Sequence, residues 1–364
     1  MMLSAGNGFI MQSEKYSRDN AGQSLKKYIL LKKGELAYNH GASKAKQYGC
    51  CYELTEDEAR IPYVYHCFKV SGAEHTPYVA TALNNPKIDR QLKRLVSSSV
   101  RMDGLLNISF DDYMSVILHL PSLKEQTHIA DFLKKLDERI TAQEKLVASL
   151  KKHKRGLLNA FFAEKSDYFL FSDASALKIE EVCDVLSGKR IPKGETFCSH
   201  PTEYRYITVS DMGEKYVCSD NLQYISEHTE KQISRYKVKG GDIIISVAGT
   251  LGKLNIITSD LGGVNLTENC DRFTNFRGVG SEYLYYVLSS DLIQSQIESS
   301  KTKNGQPKLA LERIRNFTIP VPHQEIQEQL VKVMISLDQY IASQLAILDR
   351  YCKLRSGLLQ QLFI

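Results

Sequence analysis

Two stretches of the chain carry apolar residues at heptad spacing, one at mid-length and one at the end. Each follows a proline, Pro121 or Pro322, and no further proline interrupts it. Because proline is accepted at a helix start but not inside a helix, both stretches predict helices about 57 Å long. Sustained heptads predict that the helices form a coiled coil, with one polar glutamine in each seam. The predicted seam comprises Leu133, Leu136, Ile140, Gln143, Val147, Leu150 and Leu157 in the first helix, and Met334, Leu337, Ile341, Gln344, Leu348, Tyr351 and Leu358 in the second.

The two helical stretches are also copies of one another. Residues 117–162 align with residues 318–363 at an offset of 201, and both copies close on Gly-Leu-Leu followed by a phenylalanine. A repeat this long indicates a duplicated module, because solenoid units run only about 20–50 residues. Packing of each helix on its own domain is the alternative. Pairing of the copies is favoured because it buries both apolar stripes at once.

Mixed strand and helix patterns fill the segment before each helix. The run "GGDIIISVAGTLGKLNIIT" (240–258) predicts a turn, a strand, a glycine turn and a second strand. The earlier run "LLKKGELAYNHG" (30–41) resembles "YKVKGGDIIISVAG" (236–249), and the stretches 76–98 and 281–299 both have helical spacing. The fold class is therefore α+β, with two pseudo-repeated globular α/β domains separated by two long helices that form an antiparallel coiled coil. The predicted boundaries are 1–116 and 164–316 for the globular domains, and 117–163 and 317–364 for the helices.

Composition limits the function classes without selecting one. The 364 residues are 43% hydrophobic and carry a net charge of +5, which permits a polyanionic partner but does not require one. The eight cysteines form no CxxC pair, so we expect no metal site and reduced thiols in a cytoplasmic protein. No apolar run reaches the ~20 residues of a membrane span. We recognise no catalytic motif, so we expect no catalytic residue and no cofactor in this chain.

Basic residues in turn-rich loops are the candidates for contact with nucleic acid. The loops "SGKRIPKGE" (187–195) and "KTKNGQPK" (301–308) combine lysines with glycine and proline. Lysine and arginine hold phosphates, whereas arginine, asparagine and glutamine can pair two hydrogen bonds with a base edge. Either loop alone is more often an ordinary solvated surface than a binding site. The candidates are Lys189, Arg190, Lys193, Arg205, Lys253, Lys301, Lys303, Asn304, Gln306 and Lys308 in the second domain, and Lys44, Lys46 and Arg101 in the first.

The order of globular module, proline and long helix, repeated twice, resembles the specificity subunit of type I restriction-modification systems. The strongest signals are "PSLKEQTHIADFLKKLDERI" (121–140), "IPVPHQEIQEQLVKVMISLDQYI" (319–341) and the Gly-Leu-Leu endings. The run "VCDVLSGKRIPKG" (182–194) also resembles the usual opening of a target recognition domain in that family. The resemblance implies two target recognition domains, each binding half of a bipartite site in double-stranded DNA. It also implies two modification (methyltransferase) subunits and restriction (translocase/endonuclease) subunits as partners, with S-adenosylmethionine, ATP and Mg belonging to them.

The first domain is shorter than the family pattern. Members of the family usually open that domain with a segment like residues 177–210, whereas only 33 residues precede the Gly-Glu pair at 34. We therefore expect either a true start upstream or a truncated or silent allele. The alternative function is a truncated or silent specificity subunit that binds modification subunits but reads DNA poorly. A DNA- or RNA-processing enzyme is a third interpretation, which would require turnover by the chain alone.

Overall fold

The computed structural model describes residues 1–4, 8–15, 28–43, 46–96, 106–162, 174–299 and 308–363. The chain divides into two compact units, with Met1–Lys145 and Leu345–Ile364 in unit 1 and Leu146–Gln344 in unit 2. The long helices are α5 (Leu123–Phe161) and α11 (Gln324–Leu362). Each unit therefore contains one globular part, the first portion of one long helix and the last portion of the other. This division runs through the helices, whereas the predicted boundaries treat each helix as a segment of its own.

Unit 1 is built on short antiparallel strands covered by helices. Its described elements are β1 (Met2–Ser4), β2 (Gly8–Ile10), α1 (Gln12–Lys15), β3 (Ile29–Lys32), β4 (Leu36–Asn39), β5 (Cys50–Glu53), β6 (Glu58–Ile61), β7 (His66–Phe68), α2 (Thr76–Ala82), α3 (Pro86–Leu95) and α4 (Phe110–Met114). The strand β4 lies between β5 and β7, while β1 pairs with β2 and β3 with β6. Leu36 and Tyr38 of β4 pack against Val79 and Ile88 of the helices in one buried cluster.

Unit 2 contains a larger set of strands. Its described elements are β8 (Ser175–Lys178), α6 (Ile179–Val182), β9 (Asp184–Ser187), β10 (Arg205–Ile207), β11 (Gln223–Tyr224), α7 (Glu227–Ile233), β12 (Ile243–Ser246), β13 (Leu254–Ile256), β14 (Asn265–Leu266), β15 (Cys270–Thr274), α8 (Ser281–Ser289), α9 (Asp291–Ser299), α10 (Leu311–Arg315) and β16 (Thr318–Val321). One sheet has the order β13–β12–β15–β9 and is antiparallel. A second has the order β11–β10–β14, and β16 pairs with β8.

The central strand β12 is apolar on both faces. Because successive side chains of a strand point to opposite faces, Ile243 and Ile245 enter one buried cluster and Ile244 enters another. The first cluster includes the helices α8 and α9, and the second includes residues of β10 and β14. The glycine-rich segment after β12 closes the predicted hairpin, since β12 pairs with β13 in an antiparallel register.

The turn before the central strand is the same in both units, as the resemblance of the two runs predicts. The Glu35 carboxylate accepts a hydrogen bond from the Lys32 amide at 2.8 Å, and the Asp242 carboxylate accepts one from the Lys239 amide at 2.8 Å. A glycine with a positive φ precedes the acid in each turn. β4 and β12 then each pair with an antiparallel strand on both sides. In the described part of unit 1, no strand takes the place that β9 has beside β15.

The long helices run antiparallel within each unit, as predicted. The Arg355 guanidinium contacts the Asp137 carboxylate in unit 1, and the Lys154 ammonium contacts the Asp338 carboxylate in unit 2. These two ion pairs are equivalent in the repeat, since each joins residues 201 positions from their counterparts. Five of the predicted seam residues are buried and the others are half-buried. The buried ones are Leu133, Leu136, Val147, Met334 and Ile341.

The repeated helix endings have the same role in both units. The closing Phe363, directly after α11, packs on Tyr78 of α2 with ring centroids 5.2 Å apart. The closing Phe162, directly after α5, packs on Tyr283 of α8 with centroids 6.2 Å apart. Each tyrosine is the third residue of its short helix. The repeat is therefore explained by packing: each ending fills a matching position in the globular part of its unit.

A buried glutamine joins the start of each long helix to a short helix. In unit 1, Gln126 accepts a hydrogen bond from the His75 amide at 3.0 Å, where α2 begins. Its own amide donates to the Pro121 carbonyl at 2.9 Å. The side chain thus pairs backbone groups on both sides of the junction, which explains why an amide and not an apolar residue is buried there.

Gln327 makes the equivalent contacts in unit 2, so its replacement should destabilise that unit. It donates to the Pro322 carbonyl at 3.0 Å and accepts from the Gly280 amide at 3.4 Å. We expect Gln327→Leu to lower the free energy of unfolding by about 1.5 kcal/mol, because the buried backbone groups lose their partner. Urea unfolding measures this change. The exposed Gln329→Leu is the control, and an equal loss in both variants would contradict the assignment.

Candidate nucleic-acid interface

An open cleft of about 420 Å³ in unit 2 is lined mainly by three segments. They are the loop 187–195 after β9, the turn 208–210 after β10 and the turn 267–269 between β14 and β15. The lining mixes apolar side chains (Ile191, Phe197, Tyr206 and Val209) with polar and charged ones (Arg190, Thr208, Ser210, Thr267, Glu268 and Asn269). An aromatic surface beside hydroxyl, amide and guanidinium groups can contact both the faces and the edges of bases.

Backbone contacts hold the basic loop against the neighbouring turn. The Lys189 amide donates to the Leu266 carbonyl at 2.8 Å. A Cβ added at Gly188 would lie 2.0 Å from the carbonyl oxygen of Thr267, so the loop can approach this closely only because residue 188 is glycine. The side chain of the next residue, Arg190, is therefore presented from a constrained backbone.

An ion pair joins the basic loop to the turn. The Nε of Arg190 lies 2.5 Å from Oε1 of Glu268, and the Thr267 hydroxyl donates to Oε2 of the same carboxylate at 3.1 Å. The Arg190 side chain is 79% exposed and that of Glu268 is 29% exposed. Burial raises the pKa of Glu268, but the hydrogen bonds from Arg190 and Thr267 and the charge of Arg190 outweigh it and lower this pKa below its ordinary value. The carboxylate is therefore ionised at neutral pH.

Three further basic candidates of unit 2 have exposed side chains. The Nζ of Lys189 lies 5.8 Å from the centroid of the Tyr236 ring, a distance at which cation–π attraction acts. Lys193 is exposed in the same loop. Lys308 is exposed at the point where its backbone bridges to Ala248. The structure brings Lys189, Arg190 and Lys193 together in one loop.

The other described candidates bond to their own unit. Arg205 donates a hydrogen bond to the Asp260 carbonyl at 2.8 Å, and Lys46 donates one to the Asn84 carbonyl at 3.1 Å. Lys253 donates to the Met212 carbonyl. These groups hold loops in place, and their contact with nucleic acid stays a prediction. The remaining candidates, Lys44, Arg101, Lys301, Lys303, Asn304 and Gln306, lie outside the described residues.

Sequence reasoning missed the polar residues that face the basic loop. Glu268 and Asn269 lie in "NLTENC" (265–270), a polar turn between two very short strands. Thr208 and Ser210 follow β10, and their hydroxyl oxygens are 2.7 Å apart. The available signal is a run of hydrogen-bonding residues directly after each strand, but the sequence does not say that the two runs meet.

Within the described residues, no three histidine, cysteine, aspartate or glutamate side chains are grouped as a metal site would require. All eight cysteines are free thiols, and Cys51, Cys183 and Cys270 are buried. No described helix is long and apolar enough to cross a membrane.

Comparison with known sequences finds relatives of this chain. Residues 172–349 match the family model of the type I restriction modification DNA specificity domain. The specificity subunit of the type I restriction enzyme MjaVIII of Methanocaldococcus jannaschii is 23% identical over 261 residues, covering 68% of this chain and 61% of that relative. The EcoBI specificity subunit of Escherichia coli is 23% identical over 316 residues, covering 81% and 62%. The chain thus spans less than two thirds of the length of these curated relatives.

Two solved structures share the fold. One comes from a study of complex assembly and conformational transition of the type I R-M system, with a TM-score of 0.61 at 18% identity over 92% of this chain and 82% of that one. The other is the S subunit of a type I restriction-modification system from M. genitalium, with a TM-score of 0.52 at 17% identity over 93% and 85%. The predicted α+β fold with its antiparallel long helices is confirmed.

The fold is thus that of the S subunits of type I restriction-modification systems: globular α+β parts joined to two long antiparallel helices. Residues 172–349, which match the type I restriction modification DNA specificity domain, include the cleft. The resemblance drawn from the repeated helices and the "VCDVLSGKRIPKG" run is confirmed.

Proposed function

We propose that this chain is the DNA sequence-specificity subunit of a type I restriction-modification complex and that it binds a bipartite site in double-stranded DNA. The observation that carries the proposal is that one unit combines the specificity-domain match with the cleft beside Lys189, Arg190 and Lys193. Cationic side chains at the edge of a partly aromatic cleft suit a polyanion whose bases must also be contacted.

The duplication supports a two-part site. Each globular part precedes its own 39-residue helix. A helix of that length measures about 58 Å, which exceeds the ~34–36 Å of one DNA turn. Two such modules in one chain suit two half-sites separated by base pairs that are not read. We propose that the chain contributes recognition and that it carries neither a catalytic residue nor a cofactor.

The partners in this proposal are two modification subunits, together with restriction subunits. The long helices support two copies of one partner, because they expose apolar side chains at equivalent positions. Phe132 of α5 is 51% exposed, and Val333 of α11, its counterpart in the repeat, is 46% exposed. Paired apolar positions outside the seam suit the same surface of a partner twice. The modification subunits would supply S-adenosylmethionine chemistry, and the restriction subunits would use ATP and Mg.

Genome-wide methylation tests the function. The gene is expressed with its modification partners in a host without adenine methylation, and methylated adenines are mapped. We expect a split motif that disappears when this gene is deleted. If a complex forms on a sizing column but no motif is methylated, the chain is the truncated subunit that binds partners and reads DNA poorly. Turnover of DNA by the chain alone would overturn the non-catalytic assignment.

Phosphate contacts in the second globular part predict a weaker salt dependence in lysine variants. We expect Lys193→Ala and Lys308→Ala each to weaken DNA binding for all sequences alike and to reduce the slope of log affinity against log salt by about 0.9. Lys231→Ala is the control, because its ammonium is paired with Glu227 at 2.7 Å on α7. Fluorescence anisotropy of the assembled complex over a salt series measures the slopes. Unchanged slopes in both test variants would show that the phosphate contacts lie elsewhere in the chain.

A further inference from the structure

Arg190 is bonded to the protein through only one part of its guanidinium. Its Nε donates to Glu268, while both Nη groups have no hydrogen-bond partner within the described residues. Arg277 of the same unit is a contrast, because its Nε and both Nη groups donate to protein oxygens at 2.8–3.4 Å. Arg277 therefore bonds to its own unit through its whole guanidinium. In Arg190, by contrast, the Nε is bonded to Glu268 and the two Nη groups remain available to a ligand.

The carboxylate restricts the direction in which those nitrogens point. A guanidinium is planar, so a hydrogen bond at Nε fixes the plane and directs the Nη edge away from Glu268. Glu268 is itself held by the Thr267 hydroxyl at 3.1 Å and by its position in the turn between β14 and β15. The loop backbone is fixed at Gly188 and Lys189. Both the backbone next to Arg190 and the Nε of its side chain are thus held in place.

This arrangement suits a base edge better than a phosphate. A phosphate is attracted by charge from many directions, and a neighbouring carboxylate opposes it. A guanine offers two acceptors, O6 and N7, in one plane in the major groove, and a planar pair of N–H donors matches them. An arginine whose charge is partly offset by a carboxylate but whose plane is fixed loses attraction for phosphate and gains selectivity for a planar acceptor pair.

We propose that Arg190 reads a guanine in the half-site bound by unit 2, and that Glu268 is the residue that positions it. The inference rests on the proposed function, since it names a specificity determinant within the same site. Arg190 lines the cleft together with aromatic and hydroxyl side chains, which could contact the neighbouring base pair.

Binding to single-substitution duplexes tests the proposal. The assembled complex of this chain with its modification subunits is titrated with the mapped motif and with duplexes changed at one base pair each. We expect Arg190→Ala to reduce the preference for guanine by about 5- to 150-fold at one position of one half-site, with other positions unchanged. Arg190→Lys should not restore it, because lysine keeps the charge but lacks the planar fork. Lys189→Ala should weaken all duplexes alike.

Glu268 variants separate positioning from charge. Gln keeps an oxygen that can accept from Nε, so Glu268→Gln should retain most of the guanine preference, whereas Glu268→Ala should lose it at the same position as Arg190→Ala. Both variants remove a negative charge near DNA, so both should bind unrelated duplexes more tightly. A purely structural role would lower thermal stability without selecting one base position.

The outcomes distinguish this proposal from the function on which it rests. If the wild-type complex prefers no sequence, the specificity role fails and this inference fails with it. If the wild type is specific but Arg190→Ala keeps every preference, only the inference fails. If Arg190→Ala weakens all duplexes equally and lowers the salt slope, Arg190 is a phosphate contact, which overturns base reading. Arg190 is 79% exposed, so its variants should melt at the wild-type temperature.

Discussion

Replacing Leu133 with glutamate should destabilise unit 1 by about 4 kcal/mol or more. Leu133 is 3% exposed and belongs to a buried cluster with Tyr78, Ala130 and Phe363. Truncating a buried leucine costs about 2–5 kcal/mol, and burying a carboxylate without a partner adds to this cost. The variant should lose the contact between the end of α11 and the rest of its unit. Urea unfolding followed by circular dichroism measures the loss.

The neighbouring Phe132 provides the matched control. It is an apolar residue of the same helix, but it is 51% exposed. Phe132→Glu should therefore change the free energy of unfolding by no more than about 0.5 kcal/mol. Comparable losses in the two variants would contradict the heptad assignment, because the assignment places one side chain inside the seam and the other outside it.

The antiparallel long helices could be predicted from the sequence because their signal is local and periodic. Leu133 and Met334 are buried at positions of the heptad pattern. Each of these positions is decided by spacing along one helix, which a sequence displays directly.

The prediction from periodicity does not include the interruption of the helical stretch 76–98. The helical stretch 76–98 divides into α2 and α3 at Asn85 and Pro86. The Asn85 side chain accepts from the amides of Lys87 and Ile88 at 2.7 and 3.1 Å, which starts a new helix. An Asn-Pro pair is a typical helix-start signal, and it outweighs continuous apolar spacing.

The cleft depends on contacts that no local pattern contains. Arg190 was a candidate from its basic loop, but its partner Glu268 lies 78 residues further along the chain. Burial, strand pairing and the glycine at 188 together bring these two residues within hydrogen-bonding distance. The sequence therefore indicated Arg190 as a candidate but did not show that Glu268 contacts it.

The repeat itself allows a second large effect to be predicted, because two equivalent aspartates have different surroundings. Asp137 contacts Arg355 in unit 1, and the two side chains are 47% and 38% exposed. Asp338 contacts Lys154 in unit 2, and the side chains are 22% and 24% exposed. An exposed ion pair contributes about 0–1 kcal/mol, whereas removal of one partner from a buried pair costs several times more.

Asp338 is also the acceptor for two further groups. The Tyr286 hydroxyl donates to its carboxylate at 2.6 Å, and the Lys215 ammonium lies 3.4 Å from it. Lys215 is only 13% exposed and keeps Glu282 as a second partner at 2.8 Å. When Asp338 is replaced, Lys215 keeps Glu282 as a partner, and the Tyr286 hydroxyl keeps only a weaker acceptor. The expected cost is therefore below that of an unpaired buried charge.

We therefore expect Asp338→Asn to lower the free energy of unfolding by about 2 kcal/mol and Asp137→Asn by no more than about 0.5 kcal/mol. The same substitution at two equivalent positions is its own control, since side-chain volume and helix position are matched. Urea unfolding at low and high salt measures both variants, and the Asp137 effect should shrink further with salt. Equal costs would mean that burial does not decide the strength of these pairs and that the contacts of Tyr286 and Lys215 with Asp338 contribute little.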